Sequence, residues 1–324
     1  MIITRTPYRV SLFGGGTDHP NWYQKHGGAV LSFAINKYSY INVRELPPFF
    51  KHNYRIAYSK VELCHDSADI QHPAVREGIR KFAPGINLEL HHHGDLPARS
   101  GVGSSSAFAV GLIHSLYGLN NLKISLNKLA QLAIDFEQKT LNETVGSQDQ
   151  IACSLGGMNF IEFGPSETWK VEKLNLRTKY LEDIENRIVL LYSGIDRLSS
   201  DISKSLLASL DSKFRMMTRT QELAFNCKNI FKSEGDLSLI GPMLNESWEL
   251  KKVMNPAAVT PLLEDFFIRA RLAGAEGGKI LGAGGGGFCL FWVNPKVKEV
   301  FVNKMAPAIA VPIRISREGS TRLI

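Results

Sequence analysis

The sequence has few cysteines and no motif that pairs them. Its four cysteines are widely spaced over 324 residues, and no Cys-x-x-Cys occurs. This spacing argues against a zinc site and against a disulfide framework, and it predicts a protein of the reducing cytoplasm. The N-terminal apolar run contains Arg5 and Arg9, so we do not expect it to be a signal peptide.

Long apolar runs and basic clusters are lacking as well. The uncharged stretch from Gly101 to Leu122 is interrupted by serines, His114 and two asparagines, so we do not expect it to enter a membrane. The net charge of +7 comes from scattered lysines and arginines without an arginine-rich run. The charge therefore favours a small anionic ligand, such as a nucleotide or sugar phosphate, over nucleic acid.

A glycine- and serine-rich loop precedes an apolar helix near residue 104. Gly101 and Gly103 permit positive φ and close approach of a ligand. Ser104, Ser105 and Ser106 open the predicted helix, whose first N–H groups have no internal partner and carry positive potential. This pattern predicts a phosphate site, and a capped helix after a flexible loop is the alternative.

Two common nucleotide loops do not fit this stretch. A Walker A loop needs a lysine that is absent here, and a dinucleotide fingerprint needs a third glycine where Ser106 stands. The stretch instead resembles the phosphate loop of the GHMP kinase superfamily, which includes galactokinase, homoserine kinase and mevalonate kinase. The matching residues are Pro97, Gly101, Ser104, Ser105, Ser106 and Ala107, and Val102 replaces the usual leucine. The resemblance implies an ATP site made by Pro97, Arg99, Gly101, Val102, Gly103, Ser104, Ser105 and Ser106.

The predicted first strand, residues 2–13, runs into three consecutive glycines. They exceed what a hairpin turn needs, so a site of close approach is favoured over a plain turn. Residues 6–18 are similar, without a gap, to the first motif of the superfamily, with Gly15 and Gly16 where galactokinase has Glu-His. This form resembles the heptose-phosphate kinase and fucokinase branch. The resemblance implies an active-site arginine at Arg9 and a sugar site made by Gly14, Gly15, Gly16, Thr17 and Asp18.

A predicted helix over about residues 126–141 has Glu137 at the margin of its buried stripe, and Asp149 follows Glu137 by twelve residues. In the superfamily a Mg²⁺-binding glutamate precedes Met-Asp-Gln, and Gln148 replaces the methionine here. The resemblance therefore implies Mg²⁺ held by Glu137 and by Ser106 or Ser105, and Asp149 as the carboxylate that accepts the proton of the attacking hydroxyl. A surface glutamate and a charge at a helix N-terminus are the alternatives.

The remaining candidates are the end of a strand, an arginine and a second glycine loop. His91 and His93 could share a metal, but a solvated strand end explains them better. Arg197 could hold a substrate phosphate or be a surface arginine. The loop over 282–287 matches the third motif of the superfamily, which implies that Gly285 and Gly286 approach the substrate and that the loop packs on the phosphate loop.

The resemblance implies an α+β protein of two domains. Residues 1–186 would form an ATP-binding domain like ribosomal protein S5 domain 2, and residues 187–324 a ferredoxin-like domain, with the active site between them. The expected activity is ATP-dependent phosphorylation of a sugar phosphate, and the favoured substrate is a heptose 7-phosphate. A fucokinase, another sugar 1-kinase and a non-catalytic relative that senses sugar and ATP are the alternatives. The sequence does not indicate an oligomeric state.

Overall fold

The computed structural model describes residues 1–195 and 213–324 as a mixed α+β protein with two sheets, as predicted. The strands are β1 (Ile2–Phe13), β2 (Gly28–Glu45), β3 (Tyr54–Ala57), β4 (Val61–Cys64), β5 (Leu88–Gly94), β6 (Met158–Phe163), β7 (Trp169–Lys173), β8 (Ile188–Tyr192), β9 (Ala275–Ile280), β10 (Phe288–Val293), β11 (Ile309–Val311) and β12 (Thr321–Arg322). The α-helices are α1 (Pro20–His26), α2 (Pro73–Phe82), α3 (Ser104–Leu119), α4 (Leu126–Asp135), α5 (Gln148–Leu155), α6 (Thr178–Arg187), α7 (Phe214–Lys232), α8 (Ile240–Met254), α9 (Pro261–Ala273) and α10 (Lys298–Lys304).

The larger sheet is built around the long strand β2. Along one edge β2 pairs with β1, and along the other it pairs first with β6 and then with β5. The sequence predicts two strands here, at 29–35 and 38–45, whereas the structure has one, because the β1 partner continues past the polar pair Asn36 and Lys37 with only a register shift. The sheet continues through β3 and β4, and β7 extends it from β6.

The smaller sheet has the order β11-β8-β10-β9, and all of its pairs are antiparallel. Numbered within the sheet this order is 4-1-3-2, with helices between its first two and last two strands. That arrangement confirms the predicted ferredoxin-like fold. Below, the larger sheet with its helices is called the N-terminal lobe, and the smaller sheet with its helices the C-terminal lobe.

The chain does not end in the C-terminal lobe. After β11 it returns to the larger sheet, where Ser316 N donates to Ala34 O at 2.9 Å and β12 pairs with the start of β1. Ser320 N then donates to Ser154 O at 3.1 Å, at the end of α5. By its contacts this tail joins both lobes, so a boundary at residue 186 describes the order along the chain and not the packing of the last residues.

The helix that follows the predicted phosphate loop is held in place by its buried apolar residues. Helix α3 lies against β1 and β2, and its apolar residues Val110, Leu112 and Leu116 are fully buried. One apolar core runs from Tyr8 to Trp292 and thus includes residues of both lobes. Among the described residues, no helix has the length and apolar character needed to span a membrane.

Candidate active site

A cleft of about 270 Å³ lies between the lobes. The N-terminal lobe contributes Arg9 from β1, the start of α3 and Asp149 from α5. The C-terminal lobe contributes Lys251 from α8 and Lys279 from β9. The cleft thus brings together residues that are far apart in the sequence. Of these five contributions, all except Lys251 belong to a predicted motif or lie beside one.

The predicted phosphate loop forms one wall of this cleft. Gly101 and Gly103 have φ of +94° and +74°, and Gly103 precedes the first turn of α3 without any side-chain cap. The first N–H groups of α3 therefore remain available for an anion at the positive end of the helix. Ser104 Oγ accepts a hydrogen bond from Arg99 N at 2.9 Å, which closes the loop on itself.

The structure brings most of the predicted ATP residues to the cleft, but not all of them. Arg99, Gly101, Gly103 and the three serines Ser104, Ser105 and Ser106 line it. Pro97 and Val102 do not. Pro97 is exposed and accepts a hydrogen bond from Ser100 Oγ at 2.6 Å, while buried Val102 accepts one from Arg9 N at 3.0 Å. Through these carbonyl contacts the two residues shape the loop from outside the lining of the cleft.

Glu137 lies beneath the phosphate loop and is fully buried. Its carboxylate accepts hydrogen bonds from Ser105 Oγ at 2.9 Å, Ser106 Oγ at 2.7 Å and Gln150 Nε2 at 2.6 Å. Burial raises the pKa of Glu137 to about 7, against the opposing hydrogen bond from Ser106. A carboxylate held in this way is a group whose charge is costly until a cation offsets it.

A local change of helix type turns Glu137 inward. The sequence predicts a regular helix through residue 141, but α4 ends at Asp135 and residues 136–140 form a π-helical turn. Leu141 N donates to Phe136 O at 2.9 Å, which is an i to i+5 bond. This turn buries Phe136 and Glu137 together, and such turns are frequent at functional sites.

The oxygen atoms around Glu137 suit Mg²⁺. One buried carboxylate and two serine hydroxyls meet at the N-terminus of α3, and all three are hard oxygen ligands. Mg²⁺ prefers such ligands, needs few of them from the protein, and would offset the buried charge of Glu137. Both Ser105 and Ser106 contact the carboxylate, so the geometry is compatible with either hydroxyl as the ligand.

Arg9 and Asp149 form a two-point ion pair inside the cleft. Arg9 Nε and Nη2 donate to the two Asp149 oxygens at 2.7 and 2.6 Å, and Arg9 Nη1 donates to Gly101 O at 2.7 Å. Arg9 is 4% exposed. Bidentate pairs of this kind fix direction as well as charge, so the carboxylate of Asp149 is held beside the phosphate loop.

The glycine turn after β1 is divided between the cleft and the interior. Gly15, Gly16 and Asp18 line the cleft. Asp18 accepts from Gly16 N at 2.9 Å and from Gln148 N at 3.2 Å, so its carboxylate also ties the turn to α5. Thr17 is fully buried and its hydroxyl donates to Gly14 O at 2.8 Å. Gly14 and Thr17 thus build the turn and do not themselves line the cleft.

The second glycine loop packs against the phosphate loop. Phe288 N donates to Ser100 O at 3.0 Å, and a methyl group on Gly101 would lie 2.6 Å from Leu281 O. From this loop Gly282 and Ala283 reach the cleft. Gly285 and Gly286 do not line it, and Gly285 N donates instead to Ala258 O at 2.9 Å. Arg197 lies outside the described residues.

Several residues of the cleft carry no signal that the sequence analysis used. Lys279 is 7% exposed and donates to Ser11 O at 3.3 Å and Leu12 O at 3.1 Å. Burial lowers the pKa of Lys279 to about 8, and the positive charge of Arg9 adds to this effect. Lys251 donates to Gly282 O and thus holds the second glycine loop. The position of Lys279 just before a glycine motif is a signal that could have marked it as a site residue. Lys251 has no such signal, because it lies in an ordinary amphipathic helix.

The histidines at the end of β5 lie away from the cleft. His91 Nε2 is 2.8 Å from Glu89 Oε1, and Arg55 Nη1 lies 2.9 Å from the same nitrogen. Within the described parts of the chain, no three side chains of His, Cys, Asp or Glu form a metal-binding group. The contacts fit the end of a solvated strand.

Comparison with known proteins agrees with this geometry. Residues 70–157 match the N-terminal domain of GHMP kinases, and residues 227–308 match the C-terminal domain of GHMP kinases. The D-glycero-alpha-D-manno-heptose 7-phosphate kinase of Campylobacter jejuni is 31% identical to this chain over 92% of the chain and 91% of the relative. A bifunctional fucokinase/GDP-fucose pyrophosphorylase of Arabidopsis thaliana is 22% identical over 91% of this chain and 30% of its own length.

The fold is shared with a crystal structure of a D-glycero-D-manno-heptose 1-phosphate kinase from Bacteroides thetaiotaomicron. The two structures have a TM-score of 0.82 at 24% sequence identity, and the match covers 100% of this chain and 99% of the other. The matched domains and the named kinase relative identify a phosphotransferase that acts on a hydroxyl group. The chain belongs to the GHMP kinase family. Its kinase relatives imply ATP as the phosphate donor.

Proposed function

We propose that the protein phosphorylates D-glycero-D-manno-heptose 7-phosphate at O1 with ATP and Mg²⁺. The product would be the 1,7-bisphosphate, for the synthesis of nucleotide-activated heptose. The choice of substrate is supported by one observation: nearly the whole chain is similar, at 31% identity, to a relative named for this heptose phosphate. The side-chain-free positions Gly15 and Gly16 on the cleft wall support an acceptor other than galactose.

The N-terminus of α3 would hold the phosphates of ATP. Its free N–H groups and the open backbone at Gly101 and Gly103 offer positive potential and room for close approach. Arg9 lies within 2.7 Å of the carbonyl of Gly101, so its guanidinium stands beside the same loop. Phosphoryl transfer needs positioning and charge neutralisation more than covalent catalysis, and these groups supply both.

Mg²⁺ would be held by Glu137 together with Ser105 or Ser106, close to the phosphates. When bound, Mg²⁺ offsets charge on the phosphate oxygens and orients them. The residues of the chain contribute the site itself. Gln150 Nε2 donates to Glu137 and fixes the carboxylate, so its oxygens remain directed at the two serine hydroxyls.

Asp149 would accept the proton of the attacking O1 hydroxyl. The pair with Arg9 holds both oxygens of Asp149 in place, and 23% of this side chain remains exposed to the cleft. A proton can therefore be taken by a carboxylate that lies beside the phosphate loop. Arg9 would stabilise the negative charge that develops on the transferred group, since it touches both the carboxylate and the loop.

The phosphate already on the substrate needs a cation at some distance from Asp149. Lys251 and Lys279 line the cleft from the C-terminal lobe. Arg197 was proposed from the sequence for this role and lies outside the described residues. The four cysteines are buried and free, which suits a reducing compartment, so we also propose a cytoplasmic protein.

A substrate panel tests the proposal. ADP release is measured with ATP and Mg²⁺ for heptose 7-phosphate, unphosphorylated heptose, fucose and galactose, and ³¹P NMR identifies the position that is phosphorylated. We expect the highest kcat/KM with heptose 7-phosphate and a new anomeric phosphate. Fucose with a clearly higher kcat/KM would make the protein a fucokinase. No sugar-dependent ADP release, with ATP still bound, would indicate a sensor.

A further inference from the structure

A small polar niche opens from the cleft beside Gly15. It is formed by the hydroxyl of Ser11, on β1, and the carboxamide of Gln148, at the start of α5. Both side chains belong to residues that line the cleft, yet each residue is only 6% exposed. Neither residue was singled out for the site by its motif.

One polar atom of each niche side chain has no hydrogen-bond partner among the residues that the structure describes. Within residues 1–195 and 213–324, no hydrogen bond reaches Ser11 Oγ or Gln148 Oε1, although both atoms are buried. Their backbones are nevertheless fixed, because Lys279 Nζ donates to Ser11 O at 3.3 Å and Gln148 N donates to Asp18 Oδ2 at 3.2 Å. Buried polar atoms are nearly always satisfied, so two such atoms on side chains that both approach Gly15 indicate a ligand group that satisfies them.

The niche lies on the acceptor side of the reacting pair. Ser11 follows Arg9 by two positions on β1, which places both side chains on the same face of the strand. Gln148 directly precedes Asp149 in the first turn of α5. A group bound between Ser11 and Gln148 would therefore lie next to the Arg9–Asp149 pair, on the side of the glycine turn and not beneath the phosphate loop.

Gly15 leaves the mouth of the niche open. A methyl group added there would lie 3.2 Å from Ser11 Oγ and 3.6 Å from Gln148 Nε2. The φ of Gly15 is not among the positive values of this chain, so the backbone itself would accept alanine. Glycine at this position thus provides space, and a larger side chain would occupy the place of a ligand group.

We propose that Ser11 and Gln148 bind a hydroxyl group of the acceptor sugar and thereby help to select the sugar. Serine offers one donor and acceptor, and the carboxamide offers an acceptor and two donors, so together they match a hydroxyl that both donates and accepts. The choice of sugar rests on the proposed function. The niche itself rests on the two unpartnered side chains and applies to whichever sugar the enzyme turns over best.

The test uses three variants and a matched control. Gln148→Met removes the polar atoms at nearly constant size, Ser11→Ala removes the hydroxyl, and Gly15→Ala fills the mouth. Ser154→Ala is the control, because Ser154 is a fully buried serine of the same helix α5 whose hydroxyl also lacks a partner within the described residues but does not line the cleft. Acceptor and ATP kinetics are measured for each, with the best sugar of the panel and with its monodeoxy analogues.

We expect kcat/KM for the sugar to fall roughly tenfold in Gln148→Met and in Ser11→Ala, the size of one lost hydrogen bond. The KM for ATP should stay unchanged, and Ser154→Ala should match the wild type. One deoxy analogue should show the same loss with the wild type and no further loss with Gln148→Met, because the interaction is already absent.

Three results would overturn the proposal. The first is sugar kinetics of Gln148→Met and Ser11→Ala equal to those of Ser154→Ala, which would mean that the niche holds only water. The second is a fall in kcat/KM of Gln148→Met that adds to the fall seen with every deoxy analogue, which would mean that the substitution displaces Asp149 in general. The third is faster turnover of the sugar by Gly15→Ala. A different preferred sugar would contradict the proposed function and leave the niche testable with that sugar.

Discussion

At the scale of single residues, Glu137 shows most clearly how burial and function are connected. Its carboxylate is fully buried, yet every hydrogen bond described for it comes from a neutral donor: two serines and a glutamine. Burial raises the pKa of Glu137 to about 7, so near neutral pH the fold pays a free-energy cost for its charge. A buried carboxylate with only neutral donors does not stabilise the fold by its charge. The same carboxylate is suited to bind a cation, which would offset that charge.

Glu137→Gln should therefore change activity and stability in opposite directions. The raised pKa of Glu137 means that its contribution to stability is present at low pH and is lost as the pH rises through about 7. At pH 8 without Mg²⁺, the glutamine variant should melt at the same or a higher temperature than the wild type. Most Mg²⁺-dependent turnover should be lost, because a neutral amide is a poor ligand for Mg²⁺.

Melting curves at pH 6 and pH 8 and turnover across a Mg²⁺ titration measure both effects. Glu162→Gln serves as the control, since Glu162 is an exposed carboxylate on β6 and should change neither quantity. Wild-type turnover of Glu137→Gln at every Mg²⁺ concentration would show that Glu137 does not hold the metal.

The sequence predicted the two carboxylates of the site, but not the lysines of the cleft or the role of several polar neighbours. Glu137 and Asp149 were found because their spacing resembles a known family. Gln150, which fixes Glu137, and Ser11, which lines the cleft, lie inside matched motifs, but the motifs assign neither of them a role. Their roles depend on which side chains meet them across the fold, and that is decided by tertiary packing.

At the scale of elements, the two glycine loops are complementary surfaces. Gly101 has a φ of +94°, and its backbone lies so close to the second loop that a Cβ would be 2.6 Å from Leu281 O. The sequence predicted both loops from their glycines and, through the resemblance, their contact. It did not indicate which glycines face the cleft: Gly285 and Gly286 were expected there, and Gly282 is found instead.

Gly101→Ala should separate the loops and weaken ATP binding. The substitution places alanine in the left-handed region of φ and also brings its Cβ too close to Leu281 O. Gly85→Ala has only the backbone strain, because Gly85 has a φ of +75° with nothing within 4 Å of its Cβ position. Gly85→Ala should lose about 1 kcal/mol of stability and keep its ATP affinity. Gly101→Ala should lose more stability and bind ATP more weakly. Denaturant unfolding and nucleotide titration compare the pair, and equal results for both variants would contradict this role of the contact.

Local helix geometry was less predictable than helix existence. The pattern over 126–141 correctly indicated a helix, and Ser125 Oγ does cap it by accepting from Lys128 N at 3.3 Å. The π-helical turn at 136–140 was not predicted, because a single i to i+5 bond leaves the apolar periodicity nearly unchanged. The turn nevertheless begins with Phe136 and Glu137, which are both buried.

At the scale of the whole molecule, two long-range contacts tie the C-terminal part of the chain to β1. Lys279 of β9 donates to two carbonyls of β1, and the tail after β11 pairs with β1 through β12. Neither tie could be derived from the sequence. The tail is a short polar segment with little strand pattern, and the partners of Lys279 are backbone carbonyls, which every residue has.

Lys279→Met should change how stability depends on pH. The lowered pKa of about 8 means that the contribution of Lys279 to stability is present above its usual range near 10.5 and is lost as the pH falls through 8. The wild type should therefore gain stability relative to Lys279→Met between pH 8 and pH 10. Melting temperatures over this range provide the measurement. The variant Lys296→Met, at an exposed lysine, should run parallel to the wild type, and a parallel curve for Lys279→Met would mean that the fold does not lower the pKa of Lys279.

The central claim is that Asp149 accepts the proton of a sugar hydroxyl in this cleft. Asn keeps the shape of Asp149 and can still accept a hydrogen bond from Arg9, but it cannot take a proton. Asp149→Asn should melt at a lower temperature than the wild type because buried Arg9 loses its charge partner, yet it should remain folded, bind ATP about normally and lose turnover by roughly 10²–10⁴, the usual range for a general base.

Single-turnover ADP release with saturating ATP and sugar measures this step most directly. A folded, ATP-binding Asp149→Asn variant that works within a few-fold of the wild type would contradict the account. The transfer would then depend on charge stabilisation by Arg9 and Mg²⁺ alone.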